Sequence, residues 1–120
     1  MVLVPQMITV DSNDPRRLAR WWAERTDGEV VAENDGWFVV VALPSGLRLG
    51  VQHVDDPTPG KNRIHLDLAA ADVDAEVEAL VAAGATSLGP REISGFRWVT
   101  LTDPDGNEFC VAPEGSHDPA

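Results

Sequence analysis

The 120-residue chain has little cysteine, few basic residues and no long apolar run. Cys110 is its only cysteine, so no disulfide can form within the chain, which agrees with a reducing compartment. No apolar stretch approaches the roughly 20 residues that a membrane-spanning helix needs. The opening MVLVPQMITV lacks the basic region and cleavage site of a signal peptide. We therefore expect a single cytoplasmic domain with no membrane partner.

The shortage of basic residues excludes one class of partner. Nine lysines and arginines stand against twenty aspartates and glutamates, giving a formal net charge of −11. Such a surface repels phosphate backbones, so we expect no nucleic-acid partner. The acidity has two interpretations: it keeps the protein soluble, or it attracts a cationic small molecule.

Residues 7–54 predict the element order β-α-β-β-β. A short apolar strand at 7–11 leads to a helix with Asp14 as N-cap and Pro15 in the favoured first position. Gly28 is expected to end this helix. Three strands are then predicted between turn-forming sequences, at residues 29–32, 37–43 and 47–54.

The same order recurs over residues 63–114, after a polar linker at 55–62. Its helix is capped by Asp72 and ends at Gly84, with Val73, Val77, Leu80 and Val81 expected on one side. Strands are predicted at residues 63–68, 86–88, 96–102 and 108–112. Residues 115–120, which include His117, are expected to form a flexible tail.

The repeat gives an internal register. Superposing the helix N-caps makes Met7 equivalent to His65, and superposing the hairpin turns makes Gly50 equivalent to Cys110. A repeat this short indicates two packed modules that curl one sheet around a shared cleft, rather than a solenoid.

The motifs that carry a family resemblance are Asp14-Pro15, Trp21-Trp22, RIHLDL around His65 and DPDGNEFCV at 103–111. With the duplicated module they resemble the glyoxalase and bleomycin-resistance proteins of the vicinal oxygen chelate superfamily, and most closely its glyoxalase-like domains. The resemblance covers about residues 7–114. It implies an α+β fold of two tandem βαβββ modules forming a curved mixed sheet around a cleft, and a homodimer. It leaves function open, because the superfamily includes isomerases, dioxygenases, thiol transferases, racemases and drug-binding proteins.

The resemblance also implies where a metal would lie. Metal-dependent members hold a divalent ion on side chains of the first, fourth, fifth and last strands, and the matching positions here are Met7, Gly50, His65 and Cys110. Glycine has no side-chain ligand, and a thioether is a weak partner for such ions. The two remaining donors fall short of a three-ligand site, so we expect no metal cofactor.

An alternative register keeps the metal hypothesis open. Gln52 faces the same way as Gly50, and a bulge in that strand would turn His53 toward it. Either side chain would complete a set with His65 and Cys110. The other interpretation is that Gln52 lines a polar patch and His53 caps the strand end.

Three side chains near the second module's first and last strands are candidates for chemistry. Cys110 is either a nucleophile activated by His65 or a small apolar plug. Asp67 shares the face of His65, so it orients the imidazole, acts as a general base, or pairs with Arg97 or Lys61. His65 and Asp67 are therefore the candidate catalytic pair.

Aromatic residues indicate one wall of a ligand-binding cleft. The chain has four tryptophans and no tyrosine, and Trp98 shares its strand face with Thr100. Tryptophan faces bind planar rings and cations. The candidate ligand-binding residues are Trp37, Gln52, His65, Trp98, Thr100 and Cys110. At the junction of the halves, residues 61–63 form either a solvated linker or a contact to an acidic ligand group or a second subunit.

Two functional hypotheses follow. The first is a metal-free protein that binds or sequesters a planar or cationic compound between aromatic walls. The second is a lyase or isomerase of the glyoxalase type. That enzyme would use a divalent metal on His65 and Cys110 with Gln52 or His53, or use His65 and Asp67 as acid and base without metal.

Overall fold

The computed structural model describes residues 4–114, so His117 and the tail at 115–120 lie outside the described residues. The chain divides between Pro59 and Gly60 into two units. Each unit has one helix and one four-stranded mixed sheet, which confirms the predicted α+β class and the tandem βαβββ order. Among residues 4–114, no helix is long and apolar enough to cross a membrane.

The elements of unit 1 are β1 Ile8–Ser12, α1 Pro15–Thr26, β2 Glu29–Ala32, β3 Phe38–Ala42 and β4 Arg48–His53. The strands form one sheet in the order β1-β4-β3-β2. In this sheet β1 pairs with β4 in parallel and the other pairs are antiparallel. A short 3-10 turn at Asn34–Gly36 precedes β3.

Helix α1 begins as its sequence predicts. The Asp14 side chain accepts a hydrogen bond from the Arg17 backbone N–H, and Pro15 occupies the first turn, where its missing N–H has no cost. The helix buries Leu18 and Trp22 to 1% and 3% exposure. Because these residues lie one turn apart, a single apolar stripe anchors the helix.

The end of α1 corrects one prediction. The left-handed residue after the helix is Asp27, with φ of 55°, and not Gly28. Aspartate tolerates this conformation because its short side chain can bond locally. Gly28 serves close packing instead, since a Cβ there would lie 2.9 Å from Val41 Cγ1 and 3.1 Å from the Ala42 carbonyl oxygen.

The elements of unit 2 are β5 Leu66–Ala70, α2 Val73–Ala82, β6 Thr86–Ile93, β7 Phe96–Thr102 and β8 Glu108–Pro113. They repeat the arrangement of unit 1, with β5 parallel to β8 and the strand order β5-β8-β7-β6. The Asp72 side chain caps α2 by accepting a hydrogen bond from the Ala75 backbone N–H at 3.1 Å, as predicted.

Two strand boundaries and the buried face of one helix in unit 2 differ from the sequence prediction. Strand β5 begins at Leu66, so His65 lies just before the strand. Strand β6 has eight residues instead of the three predicted at 86–88. Val81 is 46% exposed, because the buried stripe of α2 runs through Val73 and Leu80 and ends before it.

The two faces of the unit 2 sheet have different roles. One face packs against α2 and carries the core of the unit, including Phe109 at 1% exposure. The main strand residues of this core are Val99, Leu101, Phe109 and Val111. The alternate residues of the same strands therefore point to the opposite face, where the site described below is found.

Candidate functional site

Three adjacent strands bring a polar row together on the open face of unit 2. Cys110 on β8 is paired in register with Asp67 on one side and with Thr100 on the other. Residues that pair directly across neighbouring strands point to the same face. The alternation of β5, β7 and β8 thus clusters three of the predicted site residues.

His65 joins this row through a contact with Asp67. The imidazole Nδ1 lies 2.9 Å from Asp67 Oδ1, with side-chain exposures of 39% and 68%. A hydrogen bond from Nδ1 to a carboxylate fixes the ring and leaves Nε2 as the acceptor. Arg97 is the alternative partner for Asp67, but its guanidinium Nη2 lies 3.7 Å from Asp74 Oδ1 instead. The geometry therefore supports Asp67 as the residue that orients His65.

Cys110 has the environment of a neutral thiol. Its side chain is half-buried, and Sγ lies 3.7 Å from Thr100 Oγ1. Burial is the largest effect and raises the pKa of the Cys110 thiol. The hydrogen bond with Thr100 opposes it, the Asp67 and Glu108 carboxylates raise the pKa further, and Lys61 lowers it slightly. A nucleophilic cysteine needs the opposite shift. These surroundings favour a wall residue over an activated nucleophile.

The open face carries an apolar hollow of about 460 Å³. One wall is an aromatic pair, Phe96 and Trp98, whose ring centroids lie 5.5 Å apart with planes inclined by 32°. Small side chains at Ala69, Cys110 and Ala112 leave the space in front of these rings open. The hollow is lined by His65, Asp67, Leu68, Ala69, Phe96, Trp98, Cys110, Ala112 and Pro113.

A polar hollow of about 390 Å³ adjoins it. The two hollows share His65, Trp98 and Cys110 in their walls, so they lie side by side, and we treat them as the apolar and the polar part of one candidate site. The polar hollow is lined by Lys61, His65, Arg91, Trp98, Thr100, Glu108 and Cys110.

Asn62 fixes the edge of the polar hollow. Its side-chain amide donates to the Ile64 carbonyl at 2.7 Å and to the Glu108 carbonyl at 3.0 Å, and its Oδ1 accepts from the Glu108 N–H at 2.8 Å. These bonds tie the segment before β5 to the start of β8. Asn62 thereby positions its neighbour Lys61 and the approach to His65.

Two predicted ligand-binding residues lie in unit 1. Trp37 is 59% exposed and stands just before β3. Gln52 is exposed on β4 and pairs in register with Asp11 and Phe38. The structure brings together the other four, His65, Trp98, Thr100 and Cys110, with Asp67.

His53, the alternative metal ligand, belongs to the end of β4. Its Nε2 lies 3.7 Å from Asp55 Oδ1. It faces the opposite way from Gln52, since consecutive strand residues alternate and β4 keeps an unbroken register with β1 and β3. This placement agrees with the strand-end interpretation.

The fourth-strand position of the family's metal arrangement is Gly50, which has no side-chain ligand atom. Its neighbours are close: a Cβ on Gly50 would lie 2.7 Å from Met7 Sδ, 2.9 Å from Thr9 Oγ1 and 3.1 Å from Phe38 Cζ. A larger residue would fit only if these side-chain ends moved. The four-strand metal arrangement therefore does not fit the residues of this chain.

A different donor set lies within unit 2. The ligand atoms of His65, Asp67 and Cys110 all lie within 4.8 Å of one another. Among residues 4–114 this is the group that could hold a metal ion, with Asp67 as third donor in place of Gln52 or His53.

Sequence reasoning missed three contributors to the site. Phe96 has the same spacing from Trp98 that Trp98 has from Thr100, so the alternation of β7 contained its signal. Arg91 was missed because β6 was predicted to end before it. The role of Asn62 had no local signal, since its partner Glu108 is 46 residues away.

Comparisons with known proteins agree with this architecture. A family model described as a glyoxalase-like domain matches residues 7–112. No curated protein matches this chain.

Solved structures of similar fold share low sequence identity with it. A glyoxalase/bleomycin resistance protein/dioxygenase family enzyme from Burkholderia phytofirmans PsJN is 17% identical, with a TM-score of 0.77 over 90% of this chain and 96% of that one. A member of the same superfamily from Sphaerobacter thermophilus DSM 20745 is 22% identical, with a TM-score of 0.73 over 94% and 98%. A structure titled Oxidase ChaP-H2 is 20% identical, with a TM-score of 0.71 over all of both chains. At these identities the likeness shows the fold alone.

Proposed function

Because the chain belongs to the glyoxalase-like domain family, we propose that it binds a small planar molecule in the second unit, against Phe96 and Trp98. The aromatic pair beside the open apolar hollow carries this proposal. Ligand pockets are typically about 300–1,000 Å³, mostly apolar, with a few polar groups that fix orientation. The hollow of about 460 Å³, with His65 and Asp67 at its edge, has this character.

The residues that line the site have separate roles. Phe96 and Trp98 offer flat surfaces for offset stacking. His65, oriented by Asp67, presents Nε2 as a hydrogen-bond acceptor. Cys110 is a small neutral wall residue, and Gly50, which has no side-chain ligand atom, supports binding without the family's metal arrangement. The protein is then a binding or sequestering protein.

A fluorescence screen of planar compounds against untagged protein tests this function. We expect Trp98→Ala to weaken binding of a hit by about tenfold, because the ring loses its stacking partner. Trp98→Phe should retain most of the affinity. Trp37→Ala is the matched control, since it removes an exposed tryptophan from unit 1. Unchanged affinity in Trp98→Ala would contradict the proposal.

The donor set of unit 2 favours a second candidate, a metal-dependent lyase or isomerase. His65, Asp67 and Cys110 would hold the ion, and the ion would act as a Lewis acid toward a substrate oxygen. Without metal, His65 and Asp67 remain a candidate acid-base pair. Elemental mass spectrometry of untagged protein, incubated with nickel, cobalt, zinc or manganese, separates the candidates. Near-stoichiometric metal that is lost in His65→Ala would favour the enzyme.

The assembly and compartment are further parts of this proposal. The family resemblance favours a homodimer, which sedimentation velocity on the untagged chain tests directly. A cytoplasmic location agrees with the single cysteine.

A further inference from the structure

The polar hollow holds two cationic side chains that are not engaged elsewhere. Within residues 4–114, neither the Lys61 nor the Arg91 side chain makes a hydrogen bond or an ion pair. By contrast, Arg97 lies 3.7 Å from Asp74. The donors of Lys61 and Arg91 are therefore available to a ligand.

The formal charge of the polar hollow is opposite in sign to that of the whole chain. Two cations and one carboxylate, Glu108, line the polar hollow, so its formal charge is +1 with His65 neutral, against −11 for the protein. Asp67 lines the apolar hollow, where its Oδ1 already lies 2.9 Å from His65. At 0.1 M salt, charges more than about 10 Å apart are largely screened, so the nearest groups dominate what a ligand experiences.

Both cations are placed beside the aromatic wall by backbone structure. Arg91 pairs directly with Trp98 in the β6–β7 register, so the two side chains share a face. Lys61 adjoins Asn62, whose amide bonds to the Glu108 backbone hold that segment at β8. A molecule that stacks on Trp98 thus has Arg91 beside it and Lys61 on the wall of the adjoining hollow.

We propose, on the basis of the proposed binding function, that the ligand is a planar aromatic carboxylate. Its ring lies on Phe96 and Trp98, and its carboxylate lies in the polar hollow, where Lys61 and Arg91 donate to it. Charge-assisted hydrogen bonds to a carboxylate are about twice as strong as neutral ones. The net charge alone favours a cationic ligand, whereas the charges of the polar hollow favour an anionic group there.

Three probes of equal ring size test this inference by isothermal titration calorimetry on the untagged full chain. They are 2-naphthoate, the neutral 2-naphthamide and the cationic 2-naphthylmethylammonium. We expect the carboxylate to bind about three- to tenfold more tightly than the amide, because each exposed ion pair contributes modestly. The ammonium compound should bind most weakly.

Two charge-removing variants locate the effect. Lys61→Gln and Arg91→Gln should each reduce the preference for carboxylate over amide, and the double variant should abolish it. Arg97→Gln is the matched control: it changes the net charge equally but lies outside both hollows. Both targets are exposed, so the fold should be retained.

Each outcome bears on one of the two proposals. A carboxylate preference that disappears in the double variant but persists in Arg97→Gln supports the inference. Equal binding of carboxylate and amide, or tightest binding of the ammonium, overturns the inference and leaves the aromatic binding function standing. If none of the three probes binds, the proposed function fails and the inference fails with it.

Discussion

Cys110 occupies the centre of the site, and its surroundings predict low reactivity. Burial raises the pKa of its thiol, so at a given pH the folded protein contains less thiolate than the unfolded chain. We expect iodoacetamide to alkylate native protein more slowly than urea-unfolded protein at pH 8. The native rate should still be rising above pH 9. A native rate that levels off below pH 8 would show an activated thiol and restore the nucleophile hypothesis.

Asp67 is predicted to determine the tautomer of His65. The 2.9 Å contact places the proton on Nδ1, whereas a free neutral imidazole favours Nε2. Imidazole ¹⁵N chemical shifts, measured at a pH where the ring is neutral, should report protonated Nδ1 in the native chain. In Asp67→Ala the proton should move largely to Nε2. Identical shifts in the two proteins would mean that Asp67 does not orient the ring.

At the scale of single residues, much of the site could be predicted from the sequence, because it depends on the alternation of side chains along a strand. Strand alternation alone predicts that Asp67 shares a face with His65 and that Trp98 shares a face with Thr100. The close packing around Gly50 had no such signal, because it depends on side chains from β1, from the residue before β1 and from β3.

At the scale of elements, the sequence predicted both helices and the order of all strands, but not the length of β6. Gly89 and Pro90 indicate a break in a central strand. In the structure β6 lies at the edge of its sheet, where a residue without an N–H is tolerated, and a register shift between Ser87 and Gly89 absorbs the irregularity. Edge position is a property of the whole sheet, so the local sequence could not reveal it.

Asn62 joins two elements that are distant in sequence, and this contact should stabilise unit 2. Asn62→Ala removes three hydrogen bonds at 2.7, 2.8 and 3.0 Å and leaves the Glu108 backbone groups without those partners. We expect the free energy of unfolding, measured by urea denaturation, to fall by about 1–3 kcal/mol.

The adjacent residue provides the control for this effect. Arg63 is exposed, so Arg63→Ala should change the free energy of unfolding by less than about 0.5 kcal/mol. Equal losses in the two variants would show that the segment as a whole, and not the Asn62 bridge, is responsible. Asn62→Asp keeps the acceptor for the Glu108 N–H but sets a carboxylate oxygen against the Ile64 and Glu108 carbonyl oxygens, so its loss of stability should be at least as large as that of Asn62→Ala.

For the whole molecule, the net charge and the charges of the site predict opposite responses to salt. A net charge of −11 destabilises the compact state by self-repulsion. Raising the salt from 0.01 to 0.15 M shortens the screening length from about 30 to about 8 Å. We therefore expect the Tm, measured by scanning calorimetry without ligand, to rise by a few degrees.

The same change in salt should weaken binding of 2-naphthoate while leaving 2-naphthamide unaffected, because only the carboxylate interacts with Lys61 and Arg91 through charge. Sodium and potassium chloride at equal ionic strength should act alike, which excludes a specific ion effect. If salt strengthened naphthoate binding, repulsion from the acidic surface would outweigh the two local cations. The net charge would then determine which ligands the protein accepts, and the cationic ligand would regain preference.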